Sequence, residues 1–526
     1  MNGKPVVVLC NHACIAEGAL DIQRLSAAVA KSDVIGRLVV LDWACHATPE
    51  VLTEIRRTKV VFAGCPLLRR SGFYDEAARR LVIGKTDWIA IDLKADILDL
   101  YEEKDGIEEN VRAVLESAGE ILARTQPVTN AVVVANRKVL LYGSGVSGLT
   151  AAIGLAAEGI PVDLLETNEY PISPGCFAET LREPGFEEAL RQRALKSERV
   201  TFLPPASVRN PTPIDGGFVF MTAKGDIREY GSIVFAPERQ EVPSEDTGAF
   251  TLTQLFAHMR SGKAIAGQVV FLLDRESETE PEVFRDVLRA ALHLQEKMYA
   301  KVLVLARNAR VSLPGMQELY DECREAGIVF LRYRAVSVTS EYGDFTLRGT
   351  DDHTNAGFLI QKPKILVVPG RIALDESARE FARALNLRLI KDFYTQPDSL
   401  WRLPNETNRA GVFAVGSARG NMAADGIRTD ITCLAYSLRE RLSPEGMQIE
   451  EHIPAVNKDR CAYCLTCVRV CPFGAMAKDP VERVATVYAS ACKACGLCAA
   501  ECPAQAIDLR NLSSTQVRAG IAALAR

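Results

Sequence analysis

The sequence predicts a multidomain α/β protein closed by a small cysteine-rich domain. Three observations predict it. Short β-branched runs alternate with helical stretches through most of the chain. A glycine loop follows one apolar run and opens an Ala-rich helix. The 15 cysteines are clustered, with two repeated quartets after residue 460.

Composition sets the class. At 526 residues the chain has room for about three or four domains. The net charge of −5 and pI near 5.9 supply no basic face, so no nucleic-acid partner is expected. No run of 18 apolar residues reads as a transmembrane segment. The opening "MNGKPVVVLC" has no signal-peptide pattern. The expected location is therefore cytoplasmic, where cysteines serve as thiols, metal ligands or catalysts rather than disulfides.

Residues 1–95 carry four strand-like runs, "VVVLC", "RLVVLD", "KVVFAG" and "DWIAID", separated by helical pattern. This reads as an N-terminal parallel α/β domain. Residues 96–135 form a helical linker, with amphipathic pattern over 96–127 and Pro127 as its stop. A second α/β unit spans 136–240 and returns over 361–442. A further strand–helix–strand series, 241–360, is inserted in it. Residues 443–526 hold a short linker and the cysteine quartets. Cys176, Cys323 and Cys433 are isolated and read as buried small hydrophobes.

The first domain also holds cysteines. Cys10 ends the first strand, while Cys45 and Cys65 follow the second and third. A parallel sheet brings these positions to its carboxyl edge, where ligands bind, and Cys14 returns to that edge. The pattern alone leaves two readings, ordinary buried cysteines or a metal site. Zinc fits four thiolates, and His12 and His46 offer a mixed ligand set.

The quartets are "CAYCLTCVRVCP" (Cys461, Cys464, Cys467, Cys471) and "CKACGLCAAECP" (Cys492, Cys495, Cys498, Cys502). Both read C-x-x-C-x-x-C-x-x-x-C-P. Three closely spaced thiolates wrap a cubane corner, and the fourth reaches the other cluster. The expected ligand sets are crossed: Cys461, Cys464, Cys467 and Cys502 for one [4Fe–4S], and Cys492, Cys495, Cys498 and Cys471 for the other. A zinc ribbon explains neither the quartets nor the prolines. The module resembles a bacterial two-cluster ferredoxin.

In "KVLLYGSGVSGLTAAIGLAAEGIPVDLLE", Gly143, Gly145 and Gly148 form G-x-G-x-x-G with Ser144, Val146 and Ser147 between them. The glycines allow the tight turn, the approach of a pyrophosphate and close helix packing. Glu166 ends the next strand, where a ribose is bound. Residues 408–438 resemble the closing segment of the glutathione/thioredoxin reductase family, which implies FAD. The family's Gly-Asp is Gly416-Ser417 here, and Asp425 is the candidate replacement acid. The family's Ala-Thr-Gly landmark reads "SIVFAPE", with Ala236 and Pro237. In the inserted region the first strand leads into "LLDRESETEPE", acidic and without glycine, so nicotinamide binding is not expected there.

The whole order resembles the A-type subunit of heterodisulfide reductase and flavoprotein subunits of the quinone-interacting membrane-bound oxidoreductase. The resemblance implies a thioredoxin-reductase-like FAD domain between the N-terminal domain and the two-cluster ferredoxin domain. It also implies a third [4Fe–4S] cluster on Cys10, Cys14, Cys45 and Cys65, although this chain opens with C-x-x-x-C where the family uses C-x-C-G. The implied role is an electron-transfer oxidoreductase subunit that works within a complex. Implied partners are subunits of heterodisulfide reductase B and C type, or hydrogenase- or quinone-linked modules. These would supply any membrane association, and a homodimer within the complex is compatible with the family. Some relatives bifurcate electrons at the flavin, and the sequence leaves that role open here. The rival reading is a wiring subunit with weak or no FAD, favoured by the altered Gly-Asp and Ala-Thr-Gly positions. A self-contained NAD(P)H enzyme resembling the glutamate synthase small subunit would need a second glycine loop, which this chain lacks. No side chain is singled out as catalytic.

Overall fold

In a computed structural model the chain divides into two compact units. One comprises Met1–Ala131, Gln448–Cys471 and Ala475–Arg526, the other Val132–Met447 and Pro472–Gly474. The structure describes residues 3–11, 20–41, 55, 58–64, 78, 83–101, 106–126, 132–167, 177, 185–205, 208–222, 224–243, 248–262, 264–275, 278–390, 394–395, 403–420, 424–448 and 453–525.

In the first unit β1 (Val6–Cys10), β2 (Arg37–Leu41), β3 (Val60–Gly64) and β4 (Trp88–Asp92) form a parallel sheet in the order β2-β1-β3-β4. Val7, Leu9, Val60 and Val61 are completely buried, as valine-rich runs covered on both faces should be. Cys10 lies opposite Leu41, and Leu9 opposite Ala63. Three strands thus end together at one carboxyl edge. Helix α1 (Ile22–Val29) starts at Asp21, whose carboxylate accepts from the Gln23 and Arg24 N–H groups.

Helix α2 runs over Ile107–Ala123, shorter than the 96–127 pattern suggests. Gly106, at φ 79°, sits in the left-handed region and marks its start. Lys94–Leu98 forms a separate short π turn. Ile107, Val111, Leu115 and Leu122 bury one face of α2 in the sheet's core. The helix Ser514–Leu524 packs on α2 at Gly520, where an added Cβ would lie 2.8 Å from Ile121 Cδ1. The Gln126 N–H donates to Asn511 Oδ1 at 2.9 Å, and Asn511 Nδ2 donates back to the Gln126 carbonyl.

The second unit holds two sheets. In the first, β5 (Val139–Tyr142), β6 (Val162–Leu165), β7 (Val200–Leu203) and β8 (Ser232–Phe235) are parallel, and β5 is buried at every position. Helix α3 (Val146–Ala157) connects β5 to β6. Asp163 on β6 is buried, and its charge is met by Lys138, Arg228 and the Tyr230 hydroxyl.

The inserted sheet contains β9 (Gln268–Leu272), β10 (Lys301–Ala306), β11 (Val329–Glu341), β12 (Asp344–Asp351), β13 (Gly357–Gln361) and β14 (Ile365–Val367). Its order is β13-β12-β11-β10-β9-β14. Strand β14 pairs with Val269–Phe271, so this sheet runs past residue 360. The apolar stripe of helix α4 (Pro281–Lys297) covers it. The chain then returns through β15 (Val412–Ala414), which completes the first sheet in the order β15-β8-β5-β6-β7, and helix α5 (Ala424–Arg441). Residues 139–142, 235 and 414 therefore finish at one carboxyl edge.

Candidate iron–sulfur and nucleotide sites

The two cysteine quartets fold as near copies. Each three-cysteine loop leads into a short helix, Thr466–Val470 or Leu497–Ala500. Backbone conformation repeats with them. Tyr463 and Ala494 share positive φ (both 50°), as do Leu465 (59°) and Gly496 (78°). Gly474 and Gln505, just beyond the fourth cysteines, match at 59° and 47°. Such residues turn successive N–H groups toward a common centre, a concavity suited to an anionic cluster.

The side chains converge across the repeat. Cys461, Cys464, Cys467 and Cys502 line one open cavity of about 320 Å³, with Pro503, Ala485 and Ile507 as part of its wall. Burial raises the Cys467 thiol, and Cys461, Cys464 and Cys502 beside it raise it further. Burial likewise pushes Cys498 up to about 12, with Cys492, Cys471 and Cys495 adding to the effect. Cys467 and Cys498 thus favour the proton until a cation replaces it, whereas the hydrogen bond with Thr466 lowers the exposed Cys464 thiol. The Ala475 N–H donates to Cys471 Sγ and the Ala506 N–H to Cys502 Sγ, both at 3.3 Å. The Ala494 N–H donates to Cys492 Sγ at 3.4 Å. Hydrogen bonds to sulfur tune the potential of a thiolate-held cluster. Cys464 and Cys495 are exposed, while Cys467, Cys492 and Cys498 are buried.

Among the described residues, no three His, Cys, Asp or Glu side chains meet at a point fit for a single metal ion. A lone zinc needs its sulfurs at about 2.3 Å from one point, whereas a cubane fills a space between them. The quartets fit the cubane. Of the N-terminal candidates, Cys10 is buried at the end of β1. Cys14, Cys45 and Cys65 lie outside the described residues, as do His12, His46 and Cys176.

The glycine loop joins β5 to α3. Gly143 takes φ 119°, and a Cβ there would meet the Ala236 carbonyl oxygen at 2.2 Å. At Gly148 a Cβ would lie 2.0 Å from the Gly143 oxygen. Ser144 shares a hydrogen bond with Thr167 Oγ1 at 3.1 Å. Glu166, at the end of β6, pairs with Arg191 at 2.9 Å, and that guanidinium lies over Phe202. A cavity of about 780 Å³ borders the loop, lined by Ser144, Gly145, Val146, Leu149, Glu188 and Arg191, with Glu187 also on its wall.

The return segment meets this loop directly. Gly416 has φ 63°, and a Cβ there would meet Ser147 Oγ at 2.4 Å. The Ser417 N–H donates to Ser147 Oγ at 3.2 Å, and Ser417 Oγ accepts from the Arg239 N–H at 2.9 Å. The side chain of Asp425 lies outside the described residues. Two acids carry no sequence signature of a role here. Asp430 on α5 accepts from the Gly416 N–H at 2.9 Å and pairs with Arg419. Glu238, where the landmark would end in glycine, accepts from the Ser147 N–H at 2.6 Å. The backbone cradle fits a dinucleotide, as does Asn405, fully buried beside β15 with an amide that finds no hydrogen bond. Glu238 opposes it by charge.

Beyond the inserted sheet's first strand a carboxylate gathers backbone donors. Asp274, 7% exposed, accepts from the Thr279 N–H at 2.8 Å and from the Arg307 and Asn308 N–H groups at 3.0 and 3.1 Å.

Comparison with known proteins finds a family match at the cysteine quartets. The family described as 4Fe-4S dicluster domain matches residues 460–507. A protein of Archaeoglobus profundus, like the A-type subunit of heterodisulfide reductase, is 28% identical over 198 residues, 36% of this chain and 27% of that protein. Over that stretch the chain is similar to A-type heterodisulfide reductase-like proteins. The A-type subunit of the H(2):CoB-CoM heterodisulfide,ferredoxin reductase of Methanothermobacter marburgensis is 27% identical over 36% of this chain and 29% of its own length. The chain thus spans under a third of either relative. Pyruvate synthase subunit PorD of the same organism is 38% identical over 58 residues, 11% of this chain and 65% of its own length. Among solved structures, T. acidophilum thioredoxin reductase aligns with 58% of this chain and 98% of its own, at TM-score 0.42 and 16% identity. Among the described residues no helix is long and apolar enough to cross a membrane.

Proposed function

We propose that this chain is an electron-transfer iron–sulfur flavoprotein, an oxidoreductase subunit that works inside a complex of heterodisulfide reductase type. The observation that carries it is the convergence of Cys461, Cys464, Cys467 and Cys502 on one cavity, repeated electrostatically around Cys498. Those two crossed sets hold the two [4Fe–4S] clusters of the dicluster domain. The exposed Cys464 and Cys495 bring each cluster's edge near solvent, where an electron partner can approach. Gly143, Ser144, Gly145, Val146, Ser147 and Gly148 form the FAD loop, with Glu166 toward the ribose and Gly416, Ser417 and Asp425 on the closing side. Bound FAD would supply exchange between two-electron and one-electron chemistry. The chain's own groups position it and keep water from the loop, where Ser147 and Ser417 are fully buried.

A third cluster on Cys10, Cys14, Cys45 and Cys65 is supported by the shared carboxyl edge of β1, β2 and β3. Partner subunits of B and C type, or hydrogenase- or quinone-linked modules, take the electrons onward in the cytoplasm. The second reading is a wiring subunit with weak or no FAD, and Glu238 at the loop favours it. Anaerobic purification with iron, acid-labile sulfide and flavin quantified decides among these. About twelve irons per chain, four per cubane, supports the third cluster and about eight removes it. Flavin near zero after gentle handling leaves the wiring reading.

A further inference from the structure

We infer that Glu238 is an internal counter-anion that closes the dinucleotide loop, so that a pyrophosphate enters only by displacing it. The inference rests on reading this loop as the flavin site. Ser147 contributes an N–H of the first turn of α3, at the positive end of a 12-residue helix. Phosphate oxygens bind such donors. Here the donor is taken by Glu238 Oε1 at 2.6 Å. The stem of Glu238 lies against the loop itself, since a Cβ on Gly145 would come within 2.2 Å of its Cγ. Glu238 is 5% exposed and Ser147 0%, so this is an interior contact.

Neighbouring donors are filled in the same way. The Ser417 N–H goes to Ser147 Oγ and the Gly416 N–H to Asp430. Asp274 does the same at the inserted sheet's loop, with three backbone donors on its carboxylate. In both sheets, backbone donors beyond a strand's carboxyl end are thus occupied by a carboxylate of the chain. At the inserted sheet the carboxylate gathers donors from beyond two neighbouring strands. At the glycine loop the closure depends on one side chain.

That side chain stands on a fixed backbone. Arg239, the next residue, is fully buried, with its N–H on Ser417 Oγ and its guanidinium bidentate to Glu280 at 2.9 and 3.1 Å. Opening the loop therefore asks for rotation of Glu238 rather than movement of the strand end. The 780 Å³ cavity beside Ser144, Gly145 and Val146 provides room for an entering group. A carboxylate left in place would face the pyrophosphate as a like charge.

The test is isothermal titration of FAD and of ADP into three full-length, cluster-loaded proteins: unaltered, Glu238→Gln and Glu238→Ala. Glutamine removes the charge and keeps the shape; alanine removes both. The expected result is tighter binding, about tenfold for Gln and between about tenfold and a hundredfold for Ala, the range of a charged hydrogen bond. Equal or weaker binding by the variants overturns the inference and leaves the flavin reading standing. No binding of either nucleotide by any of the three, at unchanged iron content, overturns both. If the alanine variant loses iron or solubility, the glutamine variant decides alone.

Discussion

Cys461→Ala and Cys502→Ala fall in different sequence quartets but on one cavity wall. In the crossed arrangement each removes a thiolate from the same set. Either substitution alone costs one cubane, about four irons per chain. The double variant strikes a set already lost, so its iron content should equal that of either single variant. If each sequence quartet held its own cluster, the double variant would lose about eight irons. A comparator pair gives the opposite expectation. Cys461→Ala with Cys471→Ala touches both crossed sets and should lose about eight. Cys502 owes its position to the turn after Leu497–Ala500, where the Ala506 N–H holds its sulfur at 3.3 Å. Cys471 is held identically by Ala475. Neither substitution removes a core side chain larger than cysteine, so the ribbons Met476–Asp479 and Val484–Val487 should persist. The assay is anaerobic iron and acid-labile sulfide analysis, with electron paramagnetic resonance of the reduced protein to show which signal disappears. A loss of about eight irons from the Cys461/Cys502 pair, or about four from the Cys461/Cys471 pair, refutes the crossed sets.

Other expectations concern the scaffold. Gly148→Ala forces a Cβ to 2.0 Å from the Gly143 oxygen, backbone against backbone, and should cost about 3 kcal/mol, read as faster hydrogen exchange over 139–165. Arg239→Ala leaves Glu280 without its bidentate partner and empties a fully buried site, costing about 3 kcal/mol; Arg239→Lys should not restore it, by thermal unfolding. Gly520→Val places a Cβ 2.8 Å from Ile121 and should loosen Ser514–Leu524 by about 1–3 kcal/mol, seen as exchange in 107–123. Burial pushes the Cys323 thiol up to about 12, so it should resist alkylation at pH 8 in the folded protein. Because its folded value lies above the unfolded one, the stabilisation is full below the ordinary thiol range. It is lost as pH rises toward about 12, which titration of stability in alkali would show.

The parts of this molecule that sequence made legible share one property, short range. The quartets, the glycine loop and the strands ending at Cys10 or Glu166 are local patterns with a fixed structural meaning. Glu238 and Asp430 were invisible because they act through space. Glu238 is 91 residues from the N–H it accepts from, and Asp430 reaches back over 14. Ser417 is legible as a departure from Gly-Asp, but the contact of Asp430 with the Gly416 N–H from the following helix is not. The helix expected over 96–127 shortened because amphipathic pattern cannot register one glycine at φ 79°. The packing of Ser514–Leu524 on α2 had no local signature at all.

That packing sets the order in which the chain can be completed. The Gln126–Asn511 hydrogen bonds close a loop of 385 residues, and the whole dinucleotide unit is translated inside it. At about 5–20 residues per second a ribosome needs roughly 20–80 s to deliver the second half of that contact. During this interval α2 presents the face that Gly520 will cover. Residues 477–526 carry both the closing helix and the second cysteine loop, so insertion of the two quartet clusters and closure of the first unit fall together. A nascent chain stalled before Cys492 should therefore hold a folded glycine-loop unit and neither cubane of the cysteine quartets complete.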